Sequence, residues 1–112
     1  MINLKFGEMP DQSFNTYFDY LIGKTYKILP MREEKCPTLE KYLENYEREL
    51  IGNKELITVL SDEPRFITVI STIQYLIDSE YSTDVCRKEV FKCIRILEEI
   101  KNKYFAGGEL NG

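Results

Sequence analysis

The sequence predicts an all-α domain, a four-helix antiparallel bundle with a short extended N-terminal arm. Apolar residues recur at helical spacing in four segments, short polar connections separate those segments, and 112 residues suffice for one ordinary core. A single domain over residues 1–112 follows, with an arm over 1–12 and a flexible tail over 106–112. A balance of 43% hydrophobic to 30% charged residues is that of a globular chain.

In the arm, Ile2, Leu4 and Phe6 alternate with Asn3 and Lys5 before Gly7 and Pro10, which reads as a short strand or an extended segment. From Ser13, a candidate N-cap, Phe14, Tyr17, Phe18, Leu21, Ile22, Ile28 and Leu29 keep helical spacing up to Pro30. After the polar MREEKCP, Thr38 caps a second helix whose face is Leu39, Tyr42, Leu43, Tyr46 and Leu50, ending at Gly52. Residues 54–60, KELITVL, read as a short extra helix or an extended link, with helix favoured.

Ser61-Asp62-Glu63-Pro64 is a helix-start signal, with a capping residue, acidic first turn and early proline. The following FITVISTIQYLI is rich in β-branched residues, yet Phe66, Val69, Ile70, Ile73, Leu76 and Ile77 keep helical rather than alternating spacing. Helix is expected, with strand as the alternative. Ile67 lies off that stripe, so the segment is apolar round much of its circumference, which predicts the most buried, central helix. Ser82 or Thr83 then caps a last long helix with Cys86, Val90, Cys93, Ile94, Leu97 and Ile100 on one face, running to about Phe105.

Composition excludes several functions. A net charge of −4 opposes general nucleic-acid binding, which depends on clustered Lys and Arg. No segment approaches the roughly 20 apolar residues of a membrane span, and the first residues lack a signal peptide's pattern, so a cytoplasmic location is expected. Three cysteines, Cys36, Cys86 and Cys93, without framework spacing read as free thiols of a reducing compartment. With no histidine, Ser-His-Asp and Cys-His catalysis and histidine metal sites are out of reach.

Gly23-Lys24-Thr25 ends like a phosphate-binding loop, but that motif needs glycine at position 18, where Phe18 stands, and a loop rather than a helix interior. Cys86 and Cys93, seven residues apart on one helix, are about 10 Å apart along its axis, too far for a disulfide. They read as small core residues. Residues 33–63 carry nine acids and four bases, a solvated acidic face complementary to the basic last helix. On that last helix Lys88, Lys92 and Arg95 cluster opposite the cysteine stripe.

The most informative departure lies on the first helix. Gly23 points away from the core stripe, and an exposed helical glycine costs about 1 kcal/mol relative to alanine. Thr16, Tyr20, Tyr26 and Lys27 surround it on the outward side, with Asp19 at the edge. A small residue framed by tyrosines permits close approach of another backbone, either from the same bundle or from a partner.

Across TYFDYLIGKTYKILPMREE and CRKEVFKCIRILEEI the chain resembles small helical proteins of low-GC Gram-positive bacteria and their mobile elements. That resemblance implies an accessory component of a multi-protein system and carries over no active residue. The expectation is thus a non-catalytic subunit that binds a protein, plausibly itself as a homodimer, through Thr16, Tyr20, Gly23, Tyr26 and Lys27. Lys88, Lys92 and Arg95 form a secondary charged face; no cofactor or metal is expected. A nucleic-acid-linked regulator using that basic face is the alternative, and a carboxylate-dependent enzyme stands behind it.

Overall fold

A computed structural model of the chain describes residues 2–110, with side chains up to residue 104. It is predominantly helical. Strands β1 (Ile2–Leu4) and β2 (Gly7–Met9) precede α1 (Asp11–Tyr26), α2 (Ile28–Glu33), α3 (Leu39–Leu56), α4 (Thr58–Ser61), α5 (Pro64–Asp78) and α6 (Thr83–Leu110). The molecule measures 45 × 26 × 20 Å, and α6, at about 1.5 Å per residue, runs nearly the whole long axis.

Residues 2–9 are paired rather than freely extended. β1 and β2 form an antiparallel hairpin in which Ile2 faces Met9 and Leu4 faces Gly7. Gly7 adopts φ 157°, a conformation that side chains oppose, so the turn depends on glycine. The hairpin is held where α3 meets α4: the Lys5 amide donates to the Leu56 carbonyl at 2.7 Å, Leu4 bridges Ile57, and Ile2 joins the core. Ile57 is extended between two helices, which is why KELITVL divides into the end of α3, a bridging residue and α4.

The first long helix starts and stops differently from its periodicity. Pro10, not Ser13, occupies the N-cap, and the Ser13 amide donates to the Pro10 carbonyl. The helix also breaks at Lys27 instead of continuing to Pro30. A proline at position 30 has no N–H for the Tyr26 carbonyl and its ring crowds that carbonyl, whereas in the first turn of the new helix α2 the missing donor costs nothing. Lys35, at φ 53°, turns the chain from α2 towards α3. Thr38 is the N-cap of α3 but offers no side-chain cap bond, and α3 passes through Gly52 to Leu56.

α5 is a helix, as its spacing predicts, with Phe66, Val69, Thr72, Ile73 and Leu76 buried. Pro64 begins it, and the Glu63 side chain caps it by accepting from the Arg65 amide. Ser82 caps α6 by accepting from the Val85 amide at 3.1 Å. α6 extends to Leu110 rather than stopping near Phe105; residues 111 and 112 of the expected tail lie outside the described residues.

The central element is α6, not α5. α6 packs on α1, α2 and α5, while α5 packs on α3 and α6 and leaves Ile67 44% exposed. Apolar residues off a stripe predict burial only if a neighbour covers them, and among the described residues none covers Ile67. Ion pairs follow the same arrangement. α6 ties to α1 through Lys101–Asp19 at 2.6 Å, to the end of α2 through Arg87–Glu33 at 3.0 Å, and to the start of α5 through Lys103–Glu63 at 3.3 Å. Complementarity between the basic last helix and the acidic segment is therefore realised at Glu33 and Glu63, at either end of that segment.

Candidate functional site

Thr25, the last residue of Gly-Lys-Thr, is buried and fastens α1 to α3. Its hydroxyl donates to the Leu21 carbonyl at 2.8 Å, and the Tyr46 hydroxyl lies 2.7 Å from it and 3.1 Å from the same carbonyl. Gly23, Lys24 and Thr25 are consecutive within α1, so their amides are committed to the helix and do not form a phosphate cradle. Tyr46 is pushed well above the usual tyrosine range by burial.

One turn outward, the same α1–α3 seam opens into a surface depression of about 410 Å³ lined by Tyr20, Gly23, Lys24, Lys27 and Tyr42. Gly23 is exposed, and a Cβ built there meets nothing within 4 Å. Among the described residues nothing therefore covers the outward glycine. Lys24 occupies a cage of rings, 5.5 Å from the centroids of Tyr20 and Tyr46 and 5.7 Å from that of Tyr42. Glu49 closes the cage, accepting from the Lys24 ammonium at 2.9 Å and from the Tyr20 hydroxyl at 3.3 Å.

Partial burial pulls the Lys24 ammonium down, but the Glu49 carboxylate and Tyr20 outweigh it and hold the group above its ordinary value. The Tyr42 hydroxyl donates to the Lys24 carbonyl at 2.7 Å, which fixes that ring at the wall. Lys27 stands over the Tyr42 ring at 5.9 Å, exposed and without an ion pair among the described residues. Lys24 is thus part of the wall, and Lys27 is the cation available to a visitor.

Of the five residues singled out on the expected first helix, Tyr20 and Gly23 on α1 and Lys27 at the break after it share this depression. Thr16 lies one turn earlier, exposed and 3.5 Å from the Gln12 amide. Tyr26 departs from the group, its ring meeting Phe91 of α6 edge-on at 6.0 Å. Tyr42 and Glu49 come from α3, so a reading of α1 by itself could not find them. The ring of tyrosines on both helices was the available signal.

On α6, Lys92 is paired with Glu89 at 3.1 Å, while Lys88 and Arg95 are exposed and make no ion pair among the described residues. The charged face is thereby reduced to two available cations. Cys86 and Cys93 are buried and Cys36 is partly exposed, all as free thiols. Burial pushes the Cys93 thiol up to about 11, whereas a hydrogen bond from Thr38 draws Cys36 down.

Two adjoining depressions, about 430 and 330 Å³, meet at Arg32 and Leu39. Arg32 donates to the Tyr81 carbonyl and stacks 4.6 Å from the Tyr81 ring centroid, so its guanidinium holds the α5–α6 connection in place. Among the described residues no group of three or more Cys, Asp or Glu is arranged to hold a metal ion, and no helix is long and apolar enough to cross a membrane. No protein-family model, curated protein or solved structure matches the chain.

Proposed function

We propose that the protein is a non-catalytic accessory or regulatory subunit that binds another protein through the α1–α3 depression. The four long helices α1, α3, α5 and α6 would act as an antiparallel four-helix bundle presenting that surface. The observation that carries this reading is Gly23: an exposed glycine inside a helix, with open space above it and tyrosines and Lys27 around it. Such a position gives up about 1 kcal/mol of helix stability and gains a place where a second backbone can approach closely.

The rings of Tyr20 and Tyr42 are held by their hydrogen bonds, so little side-chain entropy is lost on binding. Lys27 favours a partner segment that carries a carboxylate beside its close-approach point. Lys88 and Arg95, with Lys92 beside them, would steer association from a second face. Free thiols suit a reducing compartment, and we assign the protein to the cytoplasm of a bacterium, within a multi-protein system. Two available cations on α6 are a small footprint for a nucleic-acid regulator.

The test compares proteins co-purified from the native host with the wild type, Gly23→Arg and Lys27→Glu. A partner recovered with the wild type and lost with Gly23→Arg, at unchanged far-UV circular dichroism, supports the reading. Equal recovery with both removes the depression from consideration.

A further inference from the structure

Where the end of α2, the start of α3 and the end of α5 meet the α5–α6 connection, a depression of about 430 Å³ has an apolar floor and a charged rim. Leu43 and Leu76, both buried, form the floor, with Leu39 and Ile77 partly exposed beside them. The volume is that of a small-molecule site. It shares no lining residue with the α1–α3 depression.

Arg32 brings the positive charge. A guanidinium carries five N–H donors in a planar fork, and among the described residues Arg32 spends one of them, on the Tyr81 carbonyl, and pairs with no carboxylate. The Tyr81 ring, its centroid 4.6 Å away, supports the group from one side. A partly buried guanidinium that is held in place but unpaired is preorganised to take a carboxylate.

Negative charge stands beside it. Glu80 immediately precedes Tyr81, so its backbone lies one peptide unit from the carbonyl that Arg32 holds, and Glu40 lines the same depression. Both carboxylates are exposed, and neither has a hydrogen bond or ion pair among the described residues. Arg32 and Glu80 are therefore neighbours that leave each other's charge open. The adjoining α3–α5 seam is acidic too, since burial first, and then Asp78 and Glu44, raise Glu47. A simple anion would meet these carboxylates as well as Arg32, and a simple cation would meet Arg32 as well as them. A ligand with both charges on neighbouring atoms satisfies both sides of the rim.

We propose that this depression binds a free α-amino acid with an aliphatic side chain. Arg32 takes the α-carboxylate, Glu80 and Glu40 take the α-ammonium, and the side chain lies on Leu39, Leu43, Leu76 and Ile77.

Titration of the full chain with L-leucine, followed by the methyl NMR spectrum, tests the site. Saturable shifts at those four residues are expected, with a dissociation constant below about 1 mM. N-acetyl-L-leucine, which lacks the ammonium, and L-leucinamide, which lacks the carboxylate, should each bind at least tenfold more weakly. Arg32→Lys should weaken L-leucine by losing the fork. Because Arg32 also holds the connection, the decisive variant is Glu80→Gln, at an exposed position without a partner. It should weaken L-leucine at least tenfold with unchanged circular dichroism, and should leave N-acetyl-L-leucine no weaker. Gly23→Arg should leave L-leucine binding as in the wild type. The proposal is overturned if none of L-leucine, L-isoleucine and L-valine saturates with a constant below about 1 mM. Either blocked compound binding as tightly as L-leucine also overturns it, giving the site to the end of a peptide chain, as does an affinity for L-leucine unchanged by Glu80→Gln.

Discussion

The Tyr104 hydroxyl donates to the Glu63 carboxylate at 2.9 Å, joining the late part of α6 to the first residue of α5's cap. Glu63 is 4% exposed at its side chain and also accepts from Arg65 and Lys103, so its charge is buried with three partners. The Arg65 guanidinium, with Tyr104 and Lys103, outweighs the cost of burial and holds Glu63 down at about 2.

A carboxyl depressed in the folded state contributes stability above its unfolded value, about 4.3, and loses that contribution as pH falls through the folded value. Unfolding free energy should therefore drop between about pH 4 and pH 2, and Glu63→Gln should flatten that acid limb. At pH 7 the same variant should be less stable by about 1–3 kcal/mol. Urea titrations at a series of pH values measure both effects; parallel acid limbs would contradict the assignment.

Gly23→Ala should stabilise the protein by about 0.5–1 kcal/mol, because alanine favours the helix and the new methyl meets only solvent. Chemical denaturation measures the shift. A loss of stability would mean that the outward face is less open than the geometry gives.

Removing the Tyr46 hydroxyl with Tyr46→Phe should cost about 1 kcal/mol, since Thr25 keeps its bond to the Leu21 carbonyl. Thr25→Val should cost a comparable amount. Because the two hydroxyls share one acceptor, the double variant should lose less or more than the sum. Strict additivity in a double-mutant cycle would dissolve the network.

Cys36 should react with a thiol reagent in the folded protein, while Cys86 and Cys93, buried and raised by burial, should react only on unfolding. Thr38→Val removes the side-chain hydrogen bond, the larger of the two from Thr38 that lower Cys36, and should slow its alkylation near neutral pH. Counting modified thiols by mass spectrometry, with and without denaturant, decides the matter.

The centres of the stripes read from periodicity are buried: Phe14, Phe18 and Leu21 on α1, and Cys86, Val90, Cys93, Leu97 and Ile100 on α6, whereas stripe-edge residues such as Tyr17, Ile22, Tyr42 and Ile70 are only partly buried against that core. Helical spacing also prevailed over β-branched content in α5, because a two-residue alternation never appears there. The failures share a cause. The hairpin's hold on Ile57, the turn of Tyr26 towards Phe91 and the exposure of Ile67 all depend on which elements become neighbours, and one-dimensional spacing carries no such information. The candidate site divides likewise. Tyr20, Gly23 and Lys27 were legible on one helix, while Tyr42 and Glu49 belong to another and join them only in three dimensions. At the Lys27 break, Pro30 gave the warning, and its effect fell three residues earlier.

α1 packs on α6 more extensively than any other pair of elements does, although four elements, α2 to α5, separate the two in the order of synthesis. During translation α1 to α5 are complete before the surface that α1 requires has been made. Contacts of such wide sequence separation form slowly and late. Until α6 arrives, the α1 core stripe of a nascent chain is covered only in part, Phe18 by Phe66 of α5 and the Leu21–Thr25 turn by Tyr46 of α3, so the helix made last is the one that closes the core.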